Sequence, residues 1–350
     1  MDILHPINLL SLVLYQEIML DNFAYHVYLP CEMYESFLIH YLAQYGIRRL
    51  ILLQIVSHTF KNIIYRILAT IRSLDNDTMR FVRNDNLKLF TGLEELDLSW
   101  NDRITDEGIK GMKLHTLNLM FNRVITNDGI KGMKLHTLNL MFNKLITDEG
   151  IQEMPLHTLN LMFNKLITNN GIKHMSLNDL NLWGNELITN DGIKHLPLHS
   201  LNLSCNKVIT NVGIKNLSLT SLYLYFNELI TNNGIKHLNL HTLDLYHNDL
   251  ITNNGIKHMS LHTLDLGCNK NITDEGIKHL NLHTLYLGYN TLITDEGIKN
   301  MPLRSLAVYN NKMITNNGIK NLPLHEINLY GNTTITHEGI KHMTDIVVIS

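Results

Sequence analysis

Leu117-Asn118-Leu119-Met120-Phe121-Asn122 returns as Leu138 to Asn143 and again as Leu159 to Asn164, and this recurrence decides how the chain is read. Self-similarity at a fixed spacing marks an array of small units, none of which can bury its apolar face alone. The spacing is 21 residues. One position runs without an insertion through Asn101, Asn122, Asn143, Asn164, Asn185, Asn206, Asn227, Asn248, Asn269, Asn290, Asn311 and Asn332, which makes twelve units. The alternation in Leu117-Asn118-Leu119 predicts a short strand with its leucines inward and Asn118 outward. Strands of successive units then stack in parallel, so the rest of each unit must return the chain compactly.

The asparagine that closes each strand is expected to form a ladder, its side-chain amide satisfying backbone groups that the turning chain leaves unpaired. In the stretch Ile104-Thr105-Asp106-Glu107-Gly108-Ile109-Lys110-Gly111-Met112, Thr105 is predicted to cap a short helix, with Asp106 and Glu107 at its positive end. Ile109 and Met112, three apart, face the interior that Ile104 enters from the loop. Gly108 and its eleven equivalents are expected to let neighbouring turns approach closely.

The unit reads LxxLxLxxNxxITxxGIKxM/L and resembles the leucine-rich repeat from 93 to 343. That resemblance implies an α/β solenoid, with a parallel sheet on the concave face and short helices on the convex face. Residues 67–92 read as a connector and N-terminal cap. There Met79-Arg80-Phe81-Val82 and Leu87-Lys88-Leu89-Phe90 break the repeat while staying apolar. Residues 344–350, with Ile346-Val347-Val348-Ile349, read as a C-terminal edge strand of unassigned register.

Composition narrows the functional classes. Of 350 residues, 45% are apolar and 17% charged, enough apolar content for a packed interior. A net charge of -3 gives no positive field to gather nucleic acid. The three cysteines, Cys31, Cys205 and Cys268, are too sparse for a disulfide-stapled module and fit a reducing compartment. The apolar run from Ile7 to Tyr15 is stopped by Gln16-Glu17, too soon to span a bilayer. No membrane partner and no signal peptide are therefore expected, and the cytoplasm is the expected location.

Compared with one another, the units are nearly uniform at inward positions and individual at outward strand positions. After three near-identical copies ending Met-Phe-Asn, the concave face changes to Trp183, Tyr223, Tyr225, Tyr246, Tyr286, Tyr309 and Tyr330, with Asp179, Asp244, Asp265, Phe226, His247 and Tyr289 among them. Tyrosine and tryptophan combine large contact area with a polar handle, so these seven residues are the candidate contacts for a protein target. Drift of duplicated units under a codon bias is the competing account of the same pattern.

Two histidine columns also recur. One begins at His115, His136 and His157 and continues through His199, His241, His262, His283 and His325; the other comprises His174, His195, His237, His258, His279 and His342. Stacked units place such side chains in a row about 5 Å apart, whereas a structural zinc needs four converging ligands, so no metal is expected. Cys205 and Cys268 share one position three units apart, beyond disulfide reach. No nucleophile with its own base stands apart from the repeat, so neither enzymatic activity nor a cofactor is expected. The lysine column of Lys110, Lys131 and Lys173 reads as a solvated convex face.

The chain before the array has helical apolar spacing and predicts a small α-helical domain. After a 1–22 extension, the 23–66 segment contains Leu29-Pro30-Cys31-Glu32 followed by an aliphatic helix, then Leu53-Gln54-Ile55-Val56-Ser57-His58-Thr59-Phe60-Lys61. These stretches resemble the opening and ending of an F-box. Ser57 stands in the usual cysteine place, Phe60 in the usual tryptophan place, and Tyr45-Gly46-Ile47-Arg48-Arg49 replaces the common acidic loop. The resemblance implies that Leu29, Pro30, Ile39, Leu53, Val56 and Ile64 dock the Skp-type adaptor of a cullin-RING ubiquitin ligase while the repeats hold the target. A stand-alone interaction scaffold with a helical cap is the alternative. The near-identical units also resemble leucine-rich-repeat and F-box proteins of giant amoeba-infecting viruses, which would place the chain in a host cytoplasm.

Overall fold

The computed structural model describes residues 65–66, 68–74, 79, 82–343 and 346–349. Leu29, Pro30, Ile39, Leu53, Val56 and Ile64, with the helical domain that carries them, lie outside the described residues.

Among the described residues fourteen strands form one parallel sheet in strict sequence order, from Ser73–Leu74 and Glu95–Asp97 to Glu326–Asn328 and Val347–Ile349. At about 4.8 Å per strand the sheet runs roughly 60 Å. Each strand pairs one period away, so Leu117 sits between Leu96 and Leu138. Leu117 and Leu119 are fully buried while Asn118 between them is half-exposed, as alternation demands. On the opposite side each unit makes one four-residue helix, such as Asp106–Ile109, whose Ile109 meets Ile104 in the same core. So short a helix cannot persist alone; packing on its neighbours holds it.

The asparagine ladder takes the form its chemistry requires. Asn122 Nδ2 donates to Leu98 O (3.0 Å) and Asn101 O (2.9 Å) of the preceding unit, while its Oδ1 accepts from Val124 N (3.0 Å) and Ile125 N (2.9 Å). From Asn122 to Asn311 these side chains are at most 1% exposed, so each rung replaces water that the buried backbone has lost.

A second ladder runs along the helices. Thr105 does occupy the N-cap backbone position, yet its hydroxyl makes no capping bond. The first helical residue of each unit instead holds the threonine of the next. Asp106 accepts from Thr126 N (2.8 Å) and from Thr126 Oγ1 (2.6 Å); Asn127 accepts from Thr147 N (3.0 Å) and donates to Thr147 Oγ1 (2.8 Å). The aspartate or asparagine thus sets the direction of the hydroxyl bond. Beside Asp106, Asp148, Asp274 and Asp295 the threonine donates, leaving a lone pair that accepts the N–H two residues on. Thr126, Thr168, Thr294 and Thr315 therefore cap their helices. Beside an asparagine the amide donates to that oxygen instead, and the cap is absent, as at Thr147 and Thr189. Asp106 is placed to serve this rung, whatever it adds to the helix dipole.

The same ladder accounts for the glycines. A Cβ on Gly129 would lie 2.3 Å from Asp106 Oδ1, and one on Gly234 2.3 Å from Asn211 Oδ1. The preceding unit's polar side chain fills the space a methyl group would need.

The geometry also extends one unit upstream of the recognisable sequence. Ser73–Leu74 pairs with Glu95–Leu96 at an offset of 22, and Asn84, which opens the helix Asn84–Leu87, makes the same rung to Thr105 N (3.0 Å) and Oγ1 (2.7 Å). Phe90, Leu87 and Met79 close that end of the core. Downstream, Val347–Ile349 pairs in register with Glu326–Asn328, again 21 residues apart, and its three side chains are exposed.

Candidate protein-binding face

Beyond the strand-entry column of Glu95, Thr116 and Asp179, three outward columns define the concave surface. The first is the last residue of each strand. Where it is Asn or Asp, its Oδ1 accepts the N–H two residues on: Asn118 from Met120 (3.1 Å), Asn181 from Trp183 (3.0 Å), Asp244 from Tyr246 (2.8 Å) and Asp265 from Gly267 (2.8 Å). These short bonds hold the chain as it leaves the strand. Tyr223, Tyr286 and Ala307 replace the acceptor in three units, exchanging that bond for another kind of surface.

The third column precedes the ladder asparagine and has a left-handed backbone, with φ from 49° to 58° at Trp100, Phe121, Phe142, Phe163, Cys205, Phe226, His247, Cys268, Tyr289 and Asn310. This conformation costs about 1–2 kcal/mol for a residue with a Cβ. Neighbours offset the cost: Phe121 N donates to Met141 O (3.1 Å), and the turn delivers Asn122 into the core. Their rings stack, with centroids 4.0 Å apart for Trp100 and Phe121, 4.5 Å for Phe121 and Phe142, and 4.9 Å for Phe142 and Phe163. Sequence reading did not anticipate the turn. The glycines Gly184 and Gly331 in the same column were the available signal, since glycine accepts positive φ without strain.

Between these lies the column that carries most of the candidate contacts, and here small residues let large ones meet across units. Trp183 and Tyr225 approach to 5.6 Å over Ser204, and Tyr225 contacts Tyr246 at 5.4 Å. Tyr246 leans over Gly267 and Tyr309 over Gly288, so that a Cβ on either glycine would fall within 2.4 Å of a ring. Although three units separate them, their hydroxyls are close enough to interact. Cys268 Sγ–H donates to Tyr246 Oη (3.4 Å), and Tyr309 packs edge-on to Tyr289 at 5.6 Å. An aromatic lane thus runs through Trp183, Tyr225 and Tyr246, with Tyr309 continuing it beyond Gly267 and Gly288. Tyr223 and Tyr286 stand beside it in the first column; Tyr330, 64% exposed, stands at the far end.

Asp244 and Asp265 are paired neighbours flanked by Tyr223 and Tyr286. Burial raises both carboxyls above the ordinary 3.8, Asp265 to about 7 with the Asp244 charge adding to the effect. Burial likewise raises the hydroxyls of Tyr286 and Tyr309. Neither carboxylate has an ion pair among the described residues.

The histidine columns serve other ends. His115, His136 and His157 stack at 5.3 Å, while His237 and His342 donate from Nε2 to Lys215 O (2.7 Å) and Lys320 O (3.0 Å) of the preceding units. Convex lysines pair three residues back, as in Lys194 with Asp191 and Lys278 with Glu275, both at 2.6 Å. Cys205 and Cys268 are free thiols. No helix among the described residues is long and apolar enough to cross a membrane.

The family model described as Leucine Rich repeat matches residues 92–113, 112–134, 132–154, 152–175, 194–218, 236–260, 257–280 and 278–301, half of the chain in all. Among solved structures the chain is similar to one titled "Crystal structure of Rad7 and Elc1 complex in yeast", with 17% identity and a TM-score of 0.49 over 70% of this chain and 78% of that one. No curated protein matches. The 21-residue period, the asparagine ladder, the fourteen-stranded parallel sheet and the family match agree: the chain belongs to the leucine-rich-repeat family.

Proposed function

We propose that this protein is a substrate receptor of an SCF-type cullin-RING ubiquitin ligase, its concave face holding a protein target and its F-box-like segment engaging the adaptor. The observation that carries target binding is the aromatic lane from Trp183 through Tyr225 and Tyr246 to Tyr309. Large, rigid, half-exposed rings with polar tips offer contact area at little entropic cost. Tyr223, Tyr286 and Tyr330 extend this surface. The adaptor half rests on Leu29-Pro30-Cys31-Glu32 and Val56-Ser57-His58-Thr59-Phe60-Lys61, with Leu29, Pro30, Ile39, Leu53, Val56 and Ile64 as its apolar contacts. In this reading the chain breaks no bond itself. It raises the effective concentration of a target lysine near the charged conjugating enzyme.

The test is a pull-down of the full chain with purified Skp-type adaptor and cullin, beside a Leu29→Ala/Pro30→Ala variant. Adaptor binding that the variant loses is the expected result. Retention of the adaptor by both, or by neither, would overturn the ubiquitin link and leave a leucine-rich-repeat scaffold.

A further inference from the structure

The charges on the concave face are all of one sign. The chain holds 29 lysines and arginines, yet none stands in the four outward columns from Glu95–Trp100 to Glu326–Gly331. Those columns hold Glu95, Asp97, Asp179, Asp244, Asp265 and Glu326. By contrast, convex carboxylates such as Asp191, Glu275 and Glu296 have lysine partners on their own helices.

Two of the concave carboxylates carry a charge that the fold does not need. Asp244 and Asp265 each accept one backbone N–H, but Asn118, Asn139, Asn160, Asn181, Asn202 and Asn328 make the same bond with a neutral amide. Putting carboxylates there sets two like charges about 4.8 Å apart on paired strands, half-buried beside aromatic rings. Such an arrangement weakens the free protein, as the raised Asp265 pKa records. A cation brought between them would relieve it, and tyrosine faces nearby would add cation–π attraction.

We propose that the concave face docks a basic segment of its protein partner in extended form, seating a lysine or arginine against Asp244 and Asp265 between Tyr223 and Tyr286. This rests on the target-binding reading of that face and names the chemistry of the target. The groups around the carboxylates are Tyr223 and Tyr286 on the paired strands, with Tyr246 and Tyr309 beside them and the Cys268 thiol behind Tyr246. None of them is a cation at neutral pH. Seating a cation therefore draws the proton from Asp265, and affinity rises as pH passes upward through about 7.

The experiment measures fluorescence anisotropy of a labelled peptide of alternating lysine and serine, beside a glutamate-serine counterpart, on the full chain. The expected outcome is binding of the lysine peptide alone, weakened at least tenfold by Asp244→Asn with Asp265→Asn and unchanged by the convex pair Glu149→Gln with Glu275→Gln. Wild-type affinity should also rise several-fold from pH 6 to 8, and the double asparagine variant should lose that rise. The asparagines retain the backbone bonds, so a folding defect is not expected; near-parental thermal unfolding checks it. Equal loss in the convex variant, equal binding of the glutamate peptide, or no effect of the asparagines would each overturn the proposal. If no peptide binds while a target protein is still released by Tyr223→Ala with Tyr246→Ala, the basic occupant fails and the concave face stands. If that double variant also releases nothing, both readings fail.

Discussion

Asn185 shows how much one side chain can hold in a stacked array. It donates to Leu161 O and Asn164 O and accepts from Leu187 N and Ile188 N, and its own side chain is fully buried. Asn185→Ala strands those groups, so we expect a loss of about 3 kcal/mol in urea unfolding, the penalty for several unsatisfied buried groups. Asp274 separates two bonds that a sequence cannot tell apart. Asp274→Asn should reverse the hydroxyl bond of Thr294 and remove its cap on Glu296 N, costing about 0.5–1 kcal/mol. Asp274→Ala should cost more, because the rung itself disappears. Asp265→Asn goes the other way. The folded chain holds a proton up to about pH 7 that the unfolded chain releases near 3.8, so stability falls as pH rises through that window. The variant should be more stable than the parent at pH 8, on the order of 2 kcal/mol, and equal to it at pH 4. Chemical denaturation at the two pH values reads the difference directly.

At the scale of the element, the four-residue helix exists because the units before and after it supply its packing and polar partners. The helix glycine is where that dependence is tightest. Gly234→Ala would push a methyl group against Asn211 Oδ1, separating two units at their rung to Thr231. We expect a loss of about 2 kcal/mol, the usual cost of overpacking, seen as a lower urea midpoint. Much of this element was legible. The period of 21, the Leu-x-Leu alternation and the Ile104, Ile109 and Met112 set placed strand, helix and core correctly. The threonine's true partner was not, because a polar residue beside a helix start reads as a cap or dipole partner until the neighbouring unit is in place. The column held only Asn or Asp from Asp106 to Asn316, and that restriction was the overlooked trace of a ladder.

The whole molecule is a stack in which the core and backbone bonds of each unit are made with its immediate neighbours, so stability accumulates along the array instead of residing in a centre. Its two ends differ. Upstream, Phe90, Leu87 and Met79 cover the first leucine layer, whereas downstream Val347, Val348 and Ile349 remain exposed. Deleting residues 346–349 should loosen the unit around Ile327 and Ile335 while leaving central units intact. Amide exchange should therefore rise near Ile327 with little change at Leu201. Uniform loss of protection along the array would instead mean that the stack unfolds as one body.

Read alone, the sequence determined the period, the sheet order, the inward leucines and isoleucines, the asparagine ladder and the aromatic character of the concave face. All of these depend on residues one period apart, and a repeat states those contacts outright. The tertiary structure decided what depends on absent volume and on backbone sign. Nothing in the letters of Gly267 and Gly288 marks them, yet only their missing side chains leave room for the Tyr246 and Tyr309 rings that lean over them. The left-handed turn at Phe121 and Cys268 was likewise set by where the next asparagine must point, against the preference of either residue. Asp265 belongs to the same group: its letter announces a charge, but only burial beside Asp244 and Tyr286 turns that charge into a cost that a partner can relieve.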